Sequence, residues 1–261
     1  MSRGAARRAP RGSGNGNGST APVPRQQTGP PDESGKRDVV FYVADQGMKA
    51  MIGAFLDRRD IHHKLGCGPF AFDGGRDIKL APHKDSELPL RAGALLQPWR
   101  GEYRRAIVVQ DHAYDNPLPP DEIRKRITAQ LEDHWPQFAV VVIEPELENW
   151  FWSDHTPAIK KALVWRPPGK GDERTPRQVL QDAGLWDPGK AKPDDPKRAV
   201  EYLHEKKYTG PKNNGIFRRY AETVPSVRGC TDASFQHLMA TLADWFPAET
   251  TTAHTTTEYA Q

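Results

Sequence analysis

The sequence predicts an α/β protein with a mainly parallel sheet flanked by helices and a helical C-terminal portion. Short β-rich runs alternate with helical stretches as far as residue 155, and the run Phe138–Ile143 is almost wholly apolar and β-branched. Beyond residue 155 helical patterns follow one another, joined by loops rich in Pro, Gly and Lys. Alternation of strands with helices of ten or more residues is typical of parallel βαβ units.

The first predicted strand is Asp38–Ala44, with the sequence DVVFYVA. A core-facing helix is expected after it, because apolar residues recur there at spacings of three and four. Leu65–Phe72 and Ile78–Leu80 are predicted as strand pieces around the turn at 73–75. A helix interrupted near Pro89 is expected within residues 85–99. The apolar stripe of the first helix comprises Met48, Met51, Ile52, Phe55 and Leu56.

The next predicted strand is Arg105–Gln110, which ends on Asp111. A proline-rich stretch then opens a predicted helix over Asp121–His134, and the strand Phe138–Ile143 follows it. Each of these strands is therefore connected to the next by a helical segment, which favours parallel pairing. The C-terminal portion is predicted to contain helices at Pro176–Ala183, Pro196–Lys207, Ile216–Glu222 and Ser234–Trp245.

Composition divides the chain of 261 residues into four parts. Residues 1–37 are rich in Gly, Pro, Ser and Arg with almost no large apolar residue, which predicts a disordered basic tail. The α/β domain is expected over 38–155, the helical portion over 156–247 and a flexible tail over 248–261. Residues 1–37 carry seven Lys or Arg and two acids, so a net charge of +3 leaves about −2 for the remainder.

The sequence excludes several classes of protein. Cys67 and Cys230 are far apart and match neither a zinc-site spacing nor a disulfide framework. No stretch approaches the roughly 18 apolar residues of a membrane span, and the N-terminal residues lack the apolar segment of a secretory signal. We therefore expect a soluble, cytoplasmic protein with no membrane partner.

Carboxylates follow three of the predicted strands. Asp45 follows the first, Asp111 and then Asp115 follow Arg105–Gln110, and three glutamates follow Phe138–Ile143. The carboxyl ends of parallel strands share one edge of the sheet, where ligand sites form. Oxygen ligands gathered there suit Mg²⁺ or Mn²⁺, whose charge would also offset the repulsion between the acids. The predicted metal ligands are Asp45, Asp111, Asp115, Glu144, Glu146 and Glu148.

A structural interpretation of the same acids stays open beside the metal site. Asp45 is suited to cap the helix that begins near Gly47, since acids are preferred at helix N-caps. Glu144 and Glu146 flank Pro145, which would stand at the first position of a helix. On this interpretation the aromatic run Trp150–Trp152 packs in the core rather than stacking on bases.

The segment PELENW, residues 145–150, resembles the P-x-x-E-x-W signature of the RloB-like branch of Toprim-like domains. Further segments between about residues 38 and 247 resemble a family of bacterial methylation-associated defence system proteins. These segments are FYVADQGM (41–48), LGCGPFAFD (65–73), IVVQDHAYDNP (107–117), VIEPELENWFW (142–152), KPDDPKRAVEYL (192–203) and SVRGCTDASFQHLMATLADWFP (226–247).

The resemblance implies a component of an antiphage defence system that works beside a DNA methyltransferase and other proteins of a defence operon. Its Toprim-like core implies a Mg²⁺- or Mn²⁺-dependent nuclease acting on foreign DNA, with Asp45, Asp111 and Glu148 as catalytic residues. Asp111 matches the first aspartate of a DxD motif, whereas Ala113 occupies the second aspartate position. A non-catalytic, Toprim-like recognition or scaffold subunit that partners other proteins of the locus is the alternative function.

Overall fold

The computed structural model describes residues 35–82, 88–112, 117–211 and 213–248. The strands in these ranges are β1 Arg37–Val43, β2 Ile78–Leu80, β3 Tyr103–Asp111 and β4 Gln137–Ile143. The α-helices are α1 Gln46–Leu56, α2 Ile61–Leu65, α3 Leu88–Leu96, α4 Pro120–Leu131, α5 Glu148–Phe151, α6 Thr156–Leu163, α7 Pro176–Asp182, α8 Pro196–Glu205, α9 Gly215–Thr223 and α10 Ala233–Trp245.

The sheet has the strand order β2-β1-β3-β4, and every neighbouring pair is parallel. Val43 at the end of β1 pairs with Val109 of β3, and Asp111 at the end of β3 pairs with Ile143 of β4. The predicted α/β class with a parallel sheet is confirmed. Helices flank the sheet, so β1 and β3 are buried along nearly their whole length, which explains their unbroken apolar runs.

The helical C-terminal portion packs against the sheet domain. Helix α9 lies against α1, and α10 contacts both β4 and α2. Trp152, just after α5, meets Trp186 edge to face with 5.3 Å between ring centroids, and both indoles are almost fully buried. Burial of a large apolar side chain stabilises a fold by about 1.5–3 kcal/mol. The aromatic run at 150–152 therefore joins the two portions, as the packing interpretation predicts.

Three local predictions are wrong. Leu65–Phe72 is not a strand, because Leu65 ends α2 and Gly66 then adopts a left-handed φ of 73°. Pro89 does not interrupt a helix, because it lies in the first turn of α3, where no backbone N–H is needed. Pro145 is not at the first helical position, because α5 begins only at Glu148.

The predicted C-terminal helices are confirmed within a few residues of their predicted limits, whereas α2 and α6 were not predicted. Helix α4 ends three residues before the predicted His134. The predicted tails fall outside the described residues, apart from 35–37 and residue 248. None of the helices in the described ranges is long and apolar enough to cross a membrane.

Candidate functional site

The acids predicted to meet at the carboxyl edge of the sheet divide into two groups. Asp45 follows β1, Asp111 ends β3 beside β4, and Glu146 lies in the loop after β4. Asp111 and Glu146 are only 9% and 7% exposed. Glu144, in contrast, is exposed. The edge therefore buries acids from two adjacent strands and leaves Glu144 in solvent.

Asp45 caps helix α1, as the structural interpretation predicts. Its backbone is extended, and its Oδ1 accepts a hydrogen bond of 2.8 Å from the backbone N–H of Met48. The cap satisfies one of the N–H groups that the first turn of a helix leaves unpaired. One carboxylate oxygen of Asp45 is thus already engaged in the hydrogen bond that caps α1.

We expect Asp45→Ala to destabilise the protein by about 1 kcal/mol, the usual cost of losing an N-cap side chain. Asp45→Asn retains a hydrogen-bond acceptor at the same position, so its free energy of unfolding is expected to fall much less. Urea unfolding followed by far-ultraviolet circular dichroism measures both variants. Equal losses for Ala and Asn would mean that the charge of Asp45, rather than its cap, stabilises the edge.

Glu146 forms an ion pair with Lys197, which lies in the first turn of α8. The Lys197 Nζ is 3.0 Å from Glu146 Oε2 and 3.1 Å from Oε1. Burial lowers the pKa of Lys197, but the hydrogen bond and the charge of Glu146 outweigh it, and the pKa rises above its ordinary value. The α8 helix thus brings a cation to the acidic edge.

Glu148 is the most strongly perturbed acid of the edge. Its pKa is raised to about 7, mainly by burial and to a smaller extent by the neighbouring negative charges of Glu146 and Asp45. The backbone hydrogen bond to Glu148 and the charge of Lys197 act in the opposite direction. The side chains of Asp45, Glu146, Glu148 and Lys197 therefore interact electrostatically, and we call them the edge cluster.

Asp232 anchors the residues that follow Glu148. Its carboxylate accepts hydrogen bonds from Asn149 Nδ2 at 2.5 Å, from Trp150 Nε1 at 3.1 Å and from the backbone N–H of Phe235 at 2.9 Å. The last of these caps α10. Asp232 is 8% exposed and Trp150 4% exposed. The Asn-Trp pair of the PELENW segment thus ties α5, and with it Glu148, to the start of α10.

Sequence reasoning missed the roles of Lys197 and Asp232. An acid before an apolar helix predicts that Asp232 is an N-cap, but no local signal connects it to Trp150, which is 82 residues away. Lys197 stands in a lysine-rich stretch that resembles a solvated surface. Both contacts depend on how the helical portion packs on the sheet domain.

Across the part of the chain that the structure describes, no group of three or more His, Cys, Asp or Glu side chains is placed to hold a metal ion. Asp115, one of the predicted ligands, lies outside the described residues. Carboxylate oxygens are nevertheless the ligands that a hard divalent ion prefers, and a cation would relieve the repulsion that Glu146 and Asp45 exert on Glu148.

The fold and the edge cluster define an α/β protein with a four-stranded parallel sheet and an acidic carboxyl edge. No protein-family model matches the chain, and no curated protein or solved structure matches it significantly. The resemblance to Toprim-like and defence proteins is therefore carried only by the motifs quoted from the sequence.

Proposed function

We propose that this chain is a Toprim-like component of a bacterial methylation-associated antiphage defence system, and that it hydrolyses phosphodiester bonds of foreign DNA with Mg²⁺ or Mn²⁺. The observation that carries the proposal is that β1, β3 and β4 are parallel neighbours, with Asp45 just after β1, Asp111 at the end of β3 and Glu148 beyond β4. In open parallel sheets this edge is where ligands bind. The defence role rests on the resemblance of the motifs.

The acids of the edge suit a divalent ion in charge and in chemistry. Asp45, Asp111 and Glu148 would hold the ion, which when bound supplies positive charge beside the phosphate and a water molecule of lowered pKa. Asp45 has a second carboxylate oxygen besides the one that caps α1. Hydrolysis adds water across one P–O bond and yields a phosphate monoester and an alcohol.

Lys197 gives the edge cluster a cation that can face a phosphate. It is about half exposed at its side chain, whereas its partner Glu146 is buried. A lysine ammonium is a compact charge with three N–H donors, and the contact with Glu146 does not occupy all of them. If Lys197 moved from Glu146 to a phosphate, the Glu146 carboxylate would become available to a metal ion. The ion pair with Lys197 and a bound metal ion are therefore alternative ways to neutralise Glu146.

Purified chain with Mn²⁺ is expected to nick unmodified phage DNA, and calorimetry is expected to detect Mn²⁺ uptake. Asp111→Ala and Glu148→Ala should each lower nicking by about 100-fold or more, since even residues that only support metal ligands cost 10- to 100-fold. The matched control is Glu144→Ala, which removes an exposed carboxylate from the same loop. Nicking that is equal in all four proteins would overturn the proposal of cleavage.

The non-catalytic subunit is favoured by one specific observation. Asp45 is engaged in a helix cap and Glu146 in an ion pair, so two of the acids already have structural roles. On this second proposal the edge recognises DNA or another protein of the defence locus. Full phage resistance in cells that carry Asp111→Ala and Glu148→Ala, together with its loss on deletion of the gene, supports this function and excludes catalysis.

A further inference from the structure

A cavity of about 270 Å³ lies between the sheet domain and the helical portion of the chain. Residues of α1, α9 and α10 line it, together with the segments that follow α5 and precede α10, and we call it the helix cavity. Among the described residues that line it there is no member of the edge cluster. Binding of a ligand there would therefore not depend on the proposed function.

The walls of the helix cavity are apolar and rich in aromatic rings. Phe55 of α1, Trp150 of α5 and Phe235 of α10 line it, and all three are buried. The Phe235 ring meets Phe55 and Trp150 edge to face, with 5.8 Å and 5.1 Å between ring centroids. Aromatic rings prefer edge-to-face and offset contacts with one another, so these walls suit an aromatic ligand.

The charged side chains around the helix cavity already have partners. Among the described residues that line it, Lys192 is the only Lys or Arg and Asp154 the only Asp or Glu. Lys192 Nζ donates to the backbone carbonyl of Asn149 at 2.6 Å and lies 3.7 Å from the Asp232 carboxylate. Asp154 forms an ion pair of 3.5 Å with Arg177. An ionised ligand would have to lose its hydration in an apolar cavity, so the cavity favours an uncharged one.

Ser153 places a neutral hydrogen-bonding group at the wall of the helix cavity. It is half-buried, and its Oγ accepts from the Tyr220 hydroxyl at 2.8 Å and from the backbone N–H of His155 at 3.2 Å. Both contacts use lone pairs of Oγ, so the O–H of Ser153 can still donate to a ligand. Burial raises the pKa of Tyr220 to about 12, which keeps this pair of hydroxyls uncharged.

The size of the helix cavity also indicates an occupant. Protein interiors contain few voids larger than a water molecule, because the atoms that line a void lose packing contacts. A cavity of roughly 150 Å³ lined by apolar side chains holds benzene. The helix cavity is larger and has room for two fused rings. Gly229 and Thr231 at its border are exposed, so a ligand can enter from solvent.

We propose that the helix cavity binds an uncharged aromatic molecule of one or two fused rings that carries a hydrogen-bond acceptor. The rings would pack among Phe55, Trp150 and Phe235, and the acceptor would take the O–H of Ser153. A fatty acid fits less well, because Lys192 is already engaged and the walls present rings. Since α1 belongs to the sheet domain and α9 and α10 to the helical portion, the ligand would strengthen the contact between the two portions.

Isothermal titration calorimetry of the full chain with naphthol, naphthoate and octanol tests the proposal. Naphthol should bind saturably below about 1 mM, within the affinity that a ligand of this size can reach. Naphthoate, which is charged, should bind about tenfold more weakly or not at all, and octanol should also bind more weakly than naphthol. Naphthol should raise the melting temperature of the protein, because it binds only the folded state.

Two variants locate the bound naphthol. Leu238→Trp enlarges a buried side chain that lines the cavity and should abolish binding. The same change at Leu90, which is 69% exposed, is the control and should leave binding unchanged. Ser153→Ala should weaken binding about three- to tenfold, the worth of one hydrogen bond. Circular dichroism checks that each variant is folded, and Ser153→Ala alone decides if Leu238→Trp is not.

The thiol of Cys230 reports occupancy of the cavity independently. Cys230 lines the cavity and is half-buried, whereas Cys67 is buried elsewhere in the core. Naphthol should therefore slow alkylation of Cys230 by iodoacetamide, followed by mass spectrometry. The proposal is overturned if naphthol does not bind saturably, if it binds folded Leu238→Trp or Ser153→Ala as it binds the wild type, or if naphthoate or octanol binds more tightly than naphthol.

Discussion

Asp77→Ala is expected to destabilise the protein by about 3–5 kcal/mol, the range for breaking a buried ion pair by removal of one partner. Asp77 is fully buried and forms a bidentate ion pair with the guanidinium of Arg37. It also accepts from the Tyr103 hydroxyl at 3.1 Å and from the backbone N–H of Asp73 at 2.7 Å. Alanine would remove this acceptor from the Arg37 guanidinium and from the backbone N–H of Asp73, and it would leave the Tyr103 hydroxyl with only the carbonyl of Arg76 at 3.3 Å.

Urea unfolding measures this loss, and the exposed pair of Asp121 and Arg124 provides the control. The Asp121 side chain is 94% exposed, so Asp121→Ala is expected to change the free energy of unfolding by no more than the experimental error. Asp77→Asn keeps a side-chain oxygen that can accept two hydrogen bonds, so its loss of unfolding free energy should lie between those of Asp77→Ala and Asp121→Ala. A loss for Asp77→Ala as small as that for Asp121→Ala would mean that Arg37 finds other partners.

The role of Asp77 could not be predicted from sequence, although the strand beside it was. Ile78–Leu80 could be predicted as a strand because the prediction needs only the pattern of three adjacent residues. The ion pair of Asp77 joins residues 40 apart and exists only because β1 and β2 lie side by side. Nothing in the sequence around Asp77 indicates that its side chain is buried, because charged residues next to a turn are ordinarily exposed.

The segment Leu65–Phe72 shows why an apolar run was mistaken for a strand. Phe70 and Phe72 are buried as a strand pattern predicts, and Phe72 meets Phe41 of β1 edge to face. Gly68 donates its backbone N–H to the carbonyl of Phe246, at the other end of the chain, and Phe70 stacks on the Phe246 ring. Packing against a distant segment therefore buries these side chains without a strand.

The candidate site was predicted at the level of the strand ends but not of the individual acids. Asp45, Asp111 and Glu148 lie at or beyond the carboxyl ends of adjacent parallel strands, as the alternation of strands and helices indicates. Exposure separates Glu144 from Glu146, although both flank Pro145 in the sequence. This difference follows from the packing of α8, which covers Glu146 with Lys197.

Glu148→Gln is expected to raise the stability of the protein at pH 8 by as much as about 3 kcal/mol. The pKa of Glu148 is raised from 4.5 to about 7 in the folded protein, and each pKa unit corresponds to about 1.4 kcal/mol. Below pH 4.5 the carboxyl is protonated in both states and costs nothing. Between pH 4.5 and about 7 the folded protein binds more protons, so wild-type stability falls as pH rises. Above about pH 7 the penalty stays constant.

Chemical unfolding from pH 4 to pH 8 distinguishes this effect from a general change in packing. The wild-type and Glu148→Gln curves should coincide at low pH and diverge through neutrality, whereas Glu144→Gln should follow the wild type, because Glu144 is exposed. Mn²⁺ should reverse the order at pH 8 by stabilising only the protein with an ionised Glu148. Curves that stay parallel at every pH would mean that Glu148 is well solvated, and the edge would then have no need of a cation.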